Sequence, residues 1–277
     1  FGYKAGWQST EISTTAFGTE ALAAPSEEQA NAAFGYQAAS KTRSGGFNTA
    51  LGTQALYENI SGTANTAAGA VALFKNVSGS RNTVVGAGAM AESDTADDNT
   101  AFGYSALGLN KADKNAAFGT SALAANTSGS SNTAMGTSSL RFNTTGSENT
   151  AVGTALVRNT IGNDNTAVGS TALYFNTEGY NNTAMGVSAL LNNSVGVDNT
   201  AIGKWALISN HTSSENVAVG NYALMMVKSQ GQNTAVGFKA LEKNEAQGNT
   251  AVGSYAANKT TTGLAITAVG ERALENN

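Results

Sequence analysis

Hydrophobic and polar positions recur along this chain with a 17-residue period. The segment NTAVGSTALYFNTEGYN, from Asn165 to Asn181, is followed without a gap by NTAMGVSALLNNSVGVD. Both copies keep Asn, Thr, Ala, Gly, Ala and Leu at fixed places, and the consensus is N-T-A-[VFMIL]-G-x-x-A-L-x-x-N-x-x-G-x-x. Self-similarity at a fixed period predicts a repeat architecture.

The glycine of N-T-A-x-G sets the register of the repeat. Twelve of the fifteen intervals between its sixteen copies have the full length of the repeat, and three are one residue shorter. These glycines are Gly18, Gly35, Gly52, Gly69, Gly86, Gly103, Gly119, Gly136, Gly153, Gly169, Gly186, Gly203, Gly220, Gly237, Gly253 and Gly270. We therefore expect residues 1–277 to form a single continuous repeat domain. Because the chain opens on Phe1-Gly2, inside a copy of the repeat, we also expect it to be a fragment of a longer protein.

The short period favours a β-solenoid over stacked helices. Helical solenoid repeats need about 33 residues or more, and Thr, Asn and Gly at fixed places disfavour helices. We predict an all-β fold, a parallel β-solenoid (β-roll) of about sixteen rungs, where a rung is one 17-residue repeat. The N-T-A-x-G segment predicts a strand with Thr and the large apolar residue on one side and Asn and Ala on the other. The x-x-A-L-x segment is assigned to a second strand, and N-x-x-G-x-x is assigned to turns.

In-register stacking of the rungs predicts a ladder of asparagine side chains. Stacked amides hydrogen-bond from rung to rung and satisfy polar groups at a buried corner, although the same residues also suit turns. The predicted structural ladder comprises Asn31, Asn48, Asn65, Asn82, Asn99, Asn115, Asn132, Asn149, Asn165, Asn182, Asn199, Asn216, Asn233 and Asn249.

The N-T-A-x-G strand is apolar on both sides, because its Ala is nearly constant and the next residue is always apolar but varies in size. A rung this thin is expected to hide one side and to cover the other by association of rods along their length. The recurring Ala-Leu pair also places two apolar residues next to each other, and it likewise suggests that rods associate along their length. We favour the larger residues as the filling of each rung and the alanines as the lining of the contact; a monomeric solenoid that buries both sets is the alternative. The alanines assigned to interface or core are Ala50, Ala101, Ala134, Ala151, Ala167, Ala184, Ala201, Ala218, Ala235 and Ala251.

Composition and charge argue against several function classes. Charged residues make up 12% of the chain, the net charge is −4, cysteine is absent and no basic cluster is visible. We expect no nucleic-acid partner, no membrane insertion in this segment, no cofactor, no metal site and no enzymatic activity. His211 has no partner cysteine, and the acidic cluster of Asp94, Asp97 and Asp98 is assigned to solvated turns.

Aromatic residues recur directly after the glycine of several rungs or one residue later. Their fixed places favour packing at the corners of the rungs or between chains, and stacking against sugars is the alternative. The residues concerned are Tyr36, Tyr104, Trp205, Tyr222, Phe238 and Tyr255.

The N-T-A-V-G-x-x-A-L motif, with N-[TS]-x-G-x-x-N between copies, resembles the repeats of secreted proteins and phage-type tail fibres. It is also similar to the head of trimeric autotransporter adhesins, whose repeat is N-S-V-A-I-G. The resemblance covers nearly the whole chain and implies a trimer of left-handed parallel β-rolls. The adhesin rung is shorter than the 17-residue rung found here, so the cross-section is expected to differ.

Two functions from different classes fit these patterns. The first is a structural extracellular fibre shaft or adhesin stalk or head, on a cell surface or virion. Such a stiff homo-oligomeric spacer presents a binding element to a surface glycan or receptor. The second is an ice-binding β-solenoid whose regular column of threonines orders water. Against the second, each threonine shares a strand face with the variable apolar residue.

Overall fold

The structure, a computed structural model, describes residues 1–7, 14–24 and 30–276. The chain divides into two compact units, an N-terminal unit, Phe1–Thr145, and a C-terminal unit, Gly146–Asn277. Throughout the described ranges the regular elements are short β-strands, and none is a helix.

Each rung contributes one strand, formed by the middle of the N-T-A-x-G segment. The N-terminal unit contains β1 (Thr15–Phe17), β2 (Ala32–Phe34), β3 (Thr49–Leu51), β4 (Thr66–Ala68), β5 (Thr83–Val85), β6 (Thr100–Phe102), β7 (Ala116–Phe118) and β8 (Thr133–Met135). The C-terminal unit contains β9 (Thr150–Val152), β10 (Thr166–Val168), β11 (Thr183–Met185), β12 (Thr200–Ile202), β13 (Val217–Val219), β14 (Thr234–Val236), β15 (Thr250–Val252) and β16 (Thr267–Val269).

Successive strands within each unit pair in parallel and in register. In the N-terminal unit Ala50 of β3 lies beside Ala67 of β4, and in the C-terminal unit Ala167 of β10 lies beside Ala184 of β11. Because the paired residues are one repeat apart, each unit is a parallel β-solenoid. The predicted all-β solenoid fold and the strand at N-T-A-x-G are both confirmed.

The predicted second strand at x-x-A-L-x is wrong, because this segment forms two successive tight turns. Ala55 N donates to Gly52 O at 3.3 Å, and Asn59 N donates to Leu56 O at 3.4 Å. Gln54 and Leu56 have φ values of +53° and +54°. Left-handed residues break the alternation of an extended strand, so Ala55 and Leu56 are both fully buried although they are adjacent in sequence.

The turns nevertheless join neighbouring rungs by backbone hydrogen bonds. Leu56 N donates to Ala72 O at 2.9 Å, and Gln54 N donates to Tyr36 O at 2.8 Å. Rung-to-rung bonding therefore continues around the corner of the solenoid and is not confined to the short strands. The backbone groups at these corners are satisfied although no strand contains them.

The interior of most rungs is filled by their alanines and by the leucine of the turn. All ten alanines assigned to interface or core from the sequence lie inside their rungs without exposed surface. The expectation that larger residues fill the rung and that alanine lines a contact between chains is therefore wrong. Leu51 follows Ala50 and is 54% exposed. Only the middle residue of each short strand points inward, and the leucine of the turn supplies the remaining apolar volume.

Candidate assembly interface

The predicted asparagine ladder lies at a buried corner in each unit, and its side chains connect consecutive rungs. Asn82 N donates to Asn65 Oδ1 at 3.0 Å, and Asn99 N donates to Asn82 Oδ1 at 3.0 Å. Asn82 Nδ2 donates to the Ala96 carbonyl at 2.7 Å. Water is excluded from this corner. The asparagine side chains therefore supply the hydrogen-bond partners that the backbone of a neighbouring strand would otherwise supply.

A second asparagine ladder runs through the turns, and it was not predicted from the sequence. Asn176 Nδ2 donates to Asn159 Oδ1 and to the Gly179 carbonyl, both at 2.8 Å. Asn193 Nδ2 continues the ladder by donating to Asn176 Oδ1 at 2.8 Å. The signal was the constant N-x-x-G spacing of the consensus, which we assigned to turns alone.

The glycine of N-x-x-G leaves room for this second ladder. A Cβ on Gly179 would lie 2.4 Å from Asn176 Oδ1 and 2.7 Å from Asn193 Nδ2. An added side chain at Gly179 would therefore crowd the amides of two rungs. Where Ser213 replaces the glycine, its hydroxyl donates to Oδ1 of the ladder residue Asn210. The asparagine and the glycine are one structural device and not two independent turn residues.

The rung that contains Ser93 and Ala96 lacks both residues of this device and leaves polar atoms unsatisfied. Ser93 takes the place of the ladder asparagine, and Ala96 takes the place of the glycine. Asn76 Oδ1 and Ser93 Oγ are buried and have no hydrogen-bond partner. The ladder is interrupted here because the shorter side chain does not reach the amide of the previous rung.

Completing this rung should stabilise the protein, but only if both residues change. We expect the double variant Ser93→Asn/Ala96→Gly to gain about 1–2 kcal/mol, because a buried acceptor obtains a donor. Ser93→Asn alone should give no gain, since the Cβ of Ala96 would occupy the place of the amide. Urea unfolding of the wild type, both single variants and the double variant tests this coupling. Additive effects of the two substitutions would contradict it.

The outer face of the strands carries a continuous apolar column in each unit. The variable residue after the strand alanine points outward; Leu51 is 54% exposed, Met135 is 46% exposed and Ile202 is 37% exposed. In the N-terminal unit this outer column consists of Phe17, Phe34, Leu51, Ala68, Val85, Phe102, Phe118 and Met135. In the C-terminal unit it consists of Val152, Val168, Met185, Ile202, Val219, Val236, Val252 and Val269.

The outer column is flanked by the threonines of the same strands, which share its face. Phe102 and Phe118 stack across adjacent rungs with ring centroids 5.4 Å apart. Because the register is strict, neighbouring outer residues touch each other and form a stripe instead of isolated apolar spots. A continuous apolar column of this kind is a suitable surface for association with another chain.

The charged residues around Asp97 are engaged in hydrogen bonds and ion pairs. Asp97 Oδ1 accepts from Ser80 N at 2.7 Å. Arg81 donates to both carboxylate oxygens of Asp98, at 2.6 and 2.9 Å, and this hydrogen bonding lowers the pKa of Asp98. Over the described ranges no group of three His, Cys, Asp or Glu side chains is placed to hold a metal ion. The same ranges contain no apolar helix of membrane-spanning length.

Comparison with known proteins yields no match: no protein-family model, curated protein or solved structure matches this chain. The outer column is therefore the feature of the chain itself that bears most directly on its function.

Proposed function

We propose that this chain is part of an extracellular fibre shaft, or of an adhesin stalk or head, in which copies of the chain lie side by side. Its role is structural and non-enzymatic: a stiff spacer that carries a binding element away from a cell surface or virion. The observation that supports the proposal is the outer column, which leaves one face of each unit apolar and uncovered. The resemblance described above favours a trimer of left-handed rolls.

The internal bonding of each unit suits a load-bearing spacer. Within each unit, successive rungs are joined by strand pairing and by backbone bonds through the turns, and most are also joined by the asparagine ladders. Few backbone groups of the described rungs remain for a protease to approach, because the turns that the structure describes are short and hydrogen-bonded. Stiffness and protease resistance are therefore expected properties of the folded chain.

Association of copies is favoured by the area that the outer column offers. Full burial of one Val, Leu, Ile, Phe or Met side chain contributes about 1.5–3 kcal/mol, and the outer residues are already partly covered. About 1 kcal/mol for each further burial, summed over the rungs of a unit, is comparable with the free-energy cost of association. A parallel, in-register arrangement places residues of the same class at the same height in every copy.

The ice-binding alternative is less well supported by the same face. Its threonines are in register, which a water-ordering surface requires. The neighbouring outer residue, however, changes in size from Ala68 to Phe102, so the face is not flat. Absence of thermal hysteresis in solutions of the folded chain would eliminate this function.

Charge introduced into the outer column should dissociate the assembly without unfolding the chain. We expect Met185→Glu/Ile202→Glu to raise the dissociation constant by about 100-fold or more, equivalent to about 2.7 kcal/mol, because buried carboxylates would face each other. Sedimentation equilibrium measures the mass, and circular dichroism verifies the fold. The matched control Thr212→Glu/Thr261→Glu places the same charges on exposed turns and should leave the mass unchanged. A wild-type chain that is monomeric at micromolar concentration would contradict the proposal.

A further inference from the structure

Four consecutive rungs of the C-terminal unit carry aromatic side chains in the turn after the strand. We define the aromatic strip as Trp205, Tyr222, Phe238 and Tyr255, which follow β12, β13, β14 and β15. Successive ring centroids lie 5.3, 5.9 and 5.3 Å apart, and each ring meets the next edge to face. The rings form a continuous line along the direction in which the rungs stack, and ring faces and ring edges alternate along it because adjacent ring planes are nearly perpendicular.

The fold itself does not require aromatic residues at this corner. Trp205, Tyr222 and Tyr255 have φ values of +62°, +64° and +57°, a left-handed conformation in which bulky residues are rare. The corresponding position in other rungs keeps a positive φ mostly with small or polar residues, namely Glu20, Gln37, Gln54, Val71, Gly88, Ser105, Ser121, Ser138, Thr171 and Ser188. Large rings held in an unfavourable conformation indicate a function at this place.

The strip is partly exposed and rigid. Trp205 is 37% exposed and Phe238 is 39% exposed, whereas Tyr222 and Tyr255 are half-buried. Trp205 N donates to Val187 O at 3.0 Å, and Tyr255 N donates to Phe238 O at 2.8 Å. Because the backbone beneath the rings is bonded to the preceding rung, a ligand would find the rings already in position.

In the part of the chain that the structure describes, three cationic side chains lie beside the strip. Lys204 Nζ is 5.0 Å from the ring centroid of Trp205, and the guanidinium carbon of Arg272 is 5.6 Å from that of Tyr255. Lys239 Nζ lies 5.5, 5.8 and 5.9 Å from the ring centroids of Tyr222, Phe238 and Tyr255. The same ammonium lies 3.2 Å from a carboxylate oxygen of Glu242, which neutralises it. Arg272 Nε likewise lies 3.9 Å from a carboxylate oxygen of Glu275, so among the described residues Lys204 is the cation of the strip without an ion pair. Aromatic rings with this small positive charge suit an uncharged, hydroxyl-rich ligand better than a densely phosphorylated or sulfated polymer.

We propose that the aromatic strip binds a neutral polysaccharide made of equatorially linked pyranose units. Such a chain is straight, as the strip is, and its flat sugar faces present C–H groups that pack against aromatic rings. A second copy of the protein is a less suitable occupant, because side-by-side association uses a contact that recurs in every rung, whereas the strip is confined to four. The aromatic strip lies on the turns, and the outer column lies on the strands. Polysaccharide binding and side-by-side association can therefore be tested independently.

Isothermal titration of the full chain with cellohexaose and chitohexaose tests the proposal. We expect saturable binding of at least one of them with a Kd below about 1 mM. The chain has two tryptophans, so in a Trp7→Phe background the fluorescence of Trp205 should change on binding. Trp205→Ser, which installs the residue found at Ser188 one rung earlier, should weaken binding about tenfold or more, because a single aromatic anchor often dominates such contacts.

A control variant, a curved oligosaccharide and a sedimentation measurement distinguish sugar binding from association between copies of the chain. Tyr104→Thr removes an exposed aromatic residue outside the strip and should leave binding unchanged. Maltohexaose, a curved chain, should bind more weakly than cellohexaose. Absence of saturable binding to both straight oligomers, or binding by Trp205→Ser equal to that of the wild type, would overturn the proposal. Loss of sedimentation mass in Trp205→Ser would also overturn it, by showing that the strip joins copies of the chain.

Discussion

Replacement of Gly103 by alanine is expected to unfold the rungs on both sides of it. The added Cβ would lie 2.6 Å from both the carbonyl carbon and the carbonyl oxygen of Gly119 in the next rung. Gly103 also has a φ of +137°, a region that other residues avoid. Because the collision is with backbone, no side-chain rotation relieves it, and the two rungs must separate. We expect a loss of more than about 4 kcal/mol, which belongs to the exceptional class of single substitutions.

Thermal and urea unfolding of Gly103→Ala, followed by circular dichroism, measure this loss. Gly88→Ala is the matched control in the same unit: its φ is +65°, and the nearest atom to an added Cβ is Ser105 Oγ at 3.6 Å. Other rungs place non-glycine residues at the position of Gly88, so the control should cost about 1 kcal/mol or less. Equal destabilisation by the two substitutions would show that loss of glycine as such, and not the contact between rungs, determines the effect.

Removal of one amide from the first asparagine ladder should be nearly as damaging. Asn182 Nδ2 donates to Asn165 Oδ1 at 3.2 Å and to the Gly196 carbonyl at 2.8 Å. Asn182 Oδ1 accepts from Asn199 N and from Asn199 Nδ2, both at 3.1 Å. Asn182→Ala leaves a buried carbonyl and a buried N–H without partners, so we expect a loss of about 3–5 kcal/mol.

Two measurements identify the ladder as the cause. Urea unfolding gives the free-energy change, and hydrogen exchange should show that the amide of Asn199 loses its protection in Asn182→Ala. The control Asn192→Ala removes an asparagine whose side chain makes one hydrogen bond, to Ile208 O at 2.9 Å, and it should cost about 1 kcal/mol. If the amide of Asn199 stays protected in Asn182→Ala, the ladder does not carry the stability assigned to it.

The repeat period by itself was sufficient to predict the fold class. A 17-residue interval with Asn, Thr, Ala and Gly at fixed places is too short for a helix pair and matches one solenoid rung. The alternation within N-T-A-x-G also predicted correctly that Asn and Ala share one side of the strand. These predictions succeeded because they depend on local periodicity, which the sequence displays directly.

The placement of the apolar residues failed wherever the backbone left the extended conformation. A second strand at x-x-A-L-x would place Ala55 and Leu56 on opposite sides, yet both face inward, since Leu56 has a φ of +54°. A leucine in the left-handed region is rare, and no pattern of hydrophobic and polar residues indicates it. This turn places the leucine side chain inside the rung. The inward-facing residue of the strand can therefore be as small as Ala50, because the leucine fills the remaining space.

Sequence alone therefore determined the period, the strand, the class of fold and the residues of the first asparagine ladder, because each of these follows from one repeat unit. Tertiary structure decided which apolar residues remain outside, that a second ladder joins the turns, and that four aromatic rings form one line. Those features depend on contacts between residues one repeat apart and on left-handed turns, and such contacts exist only after the rungs have stacked.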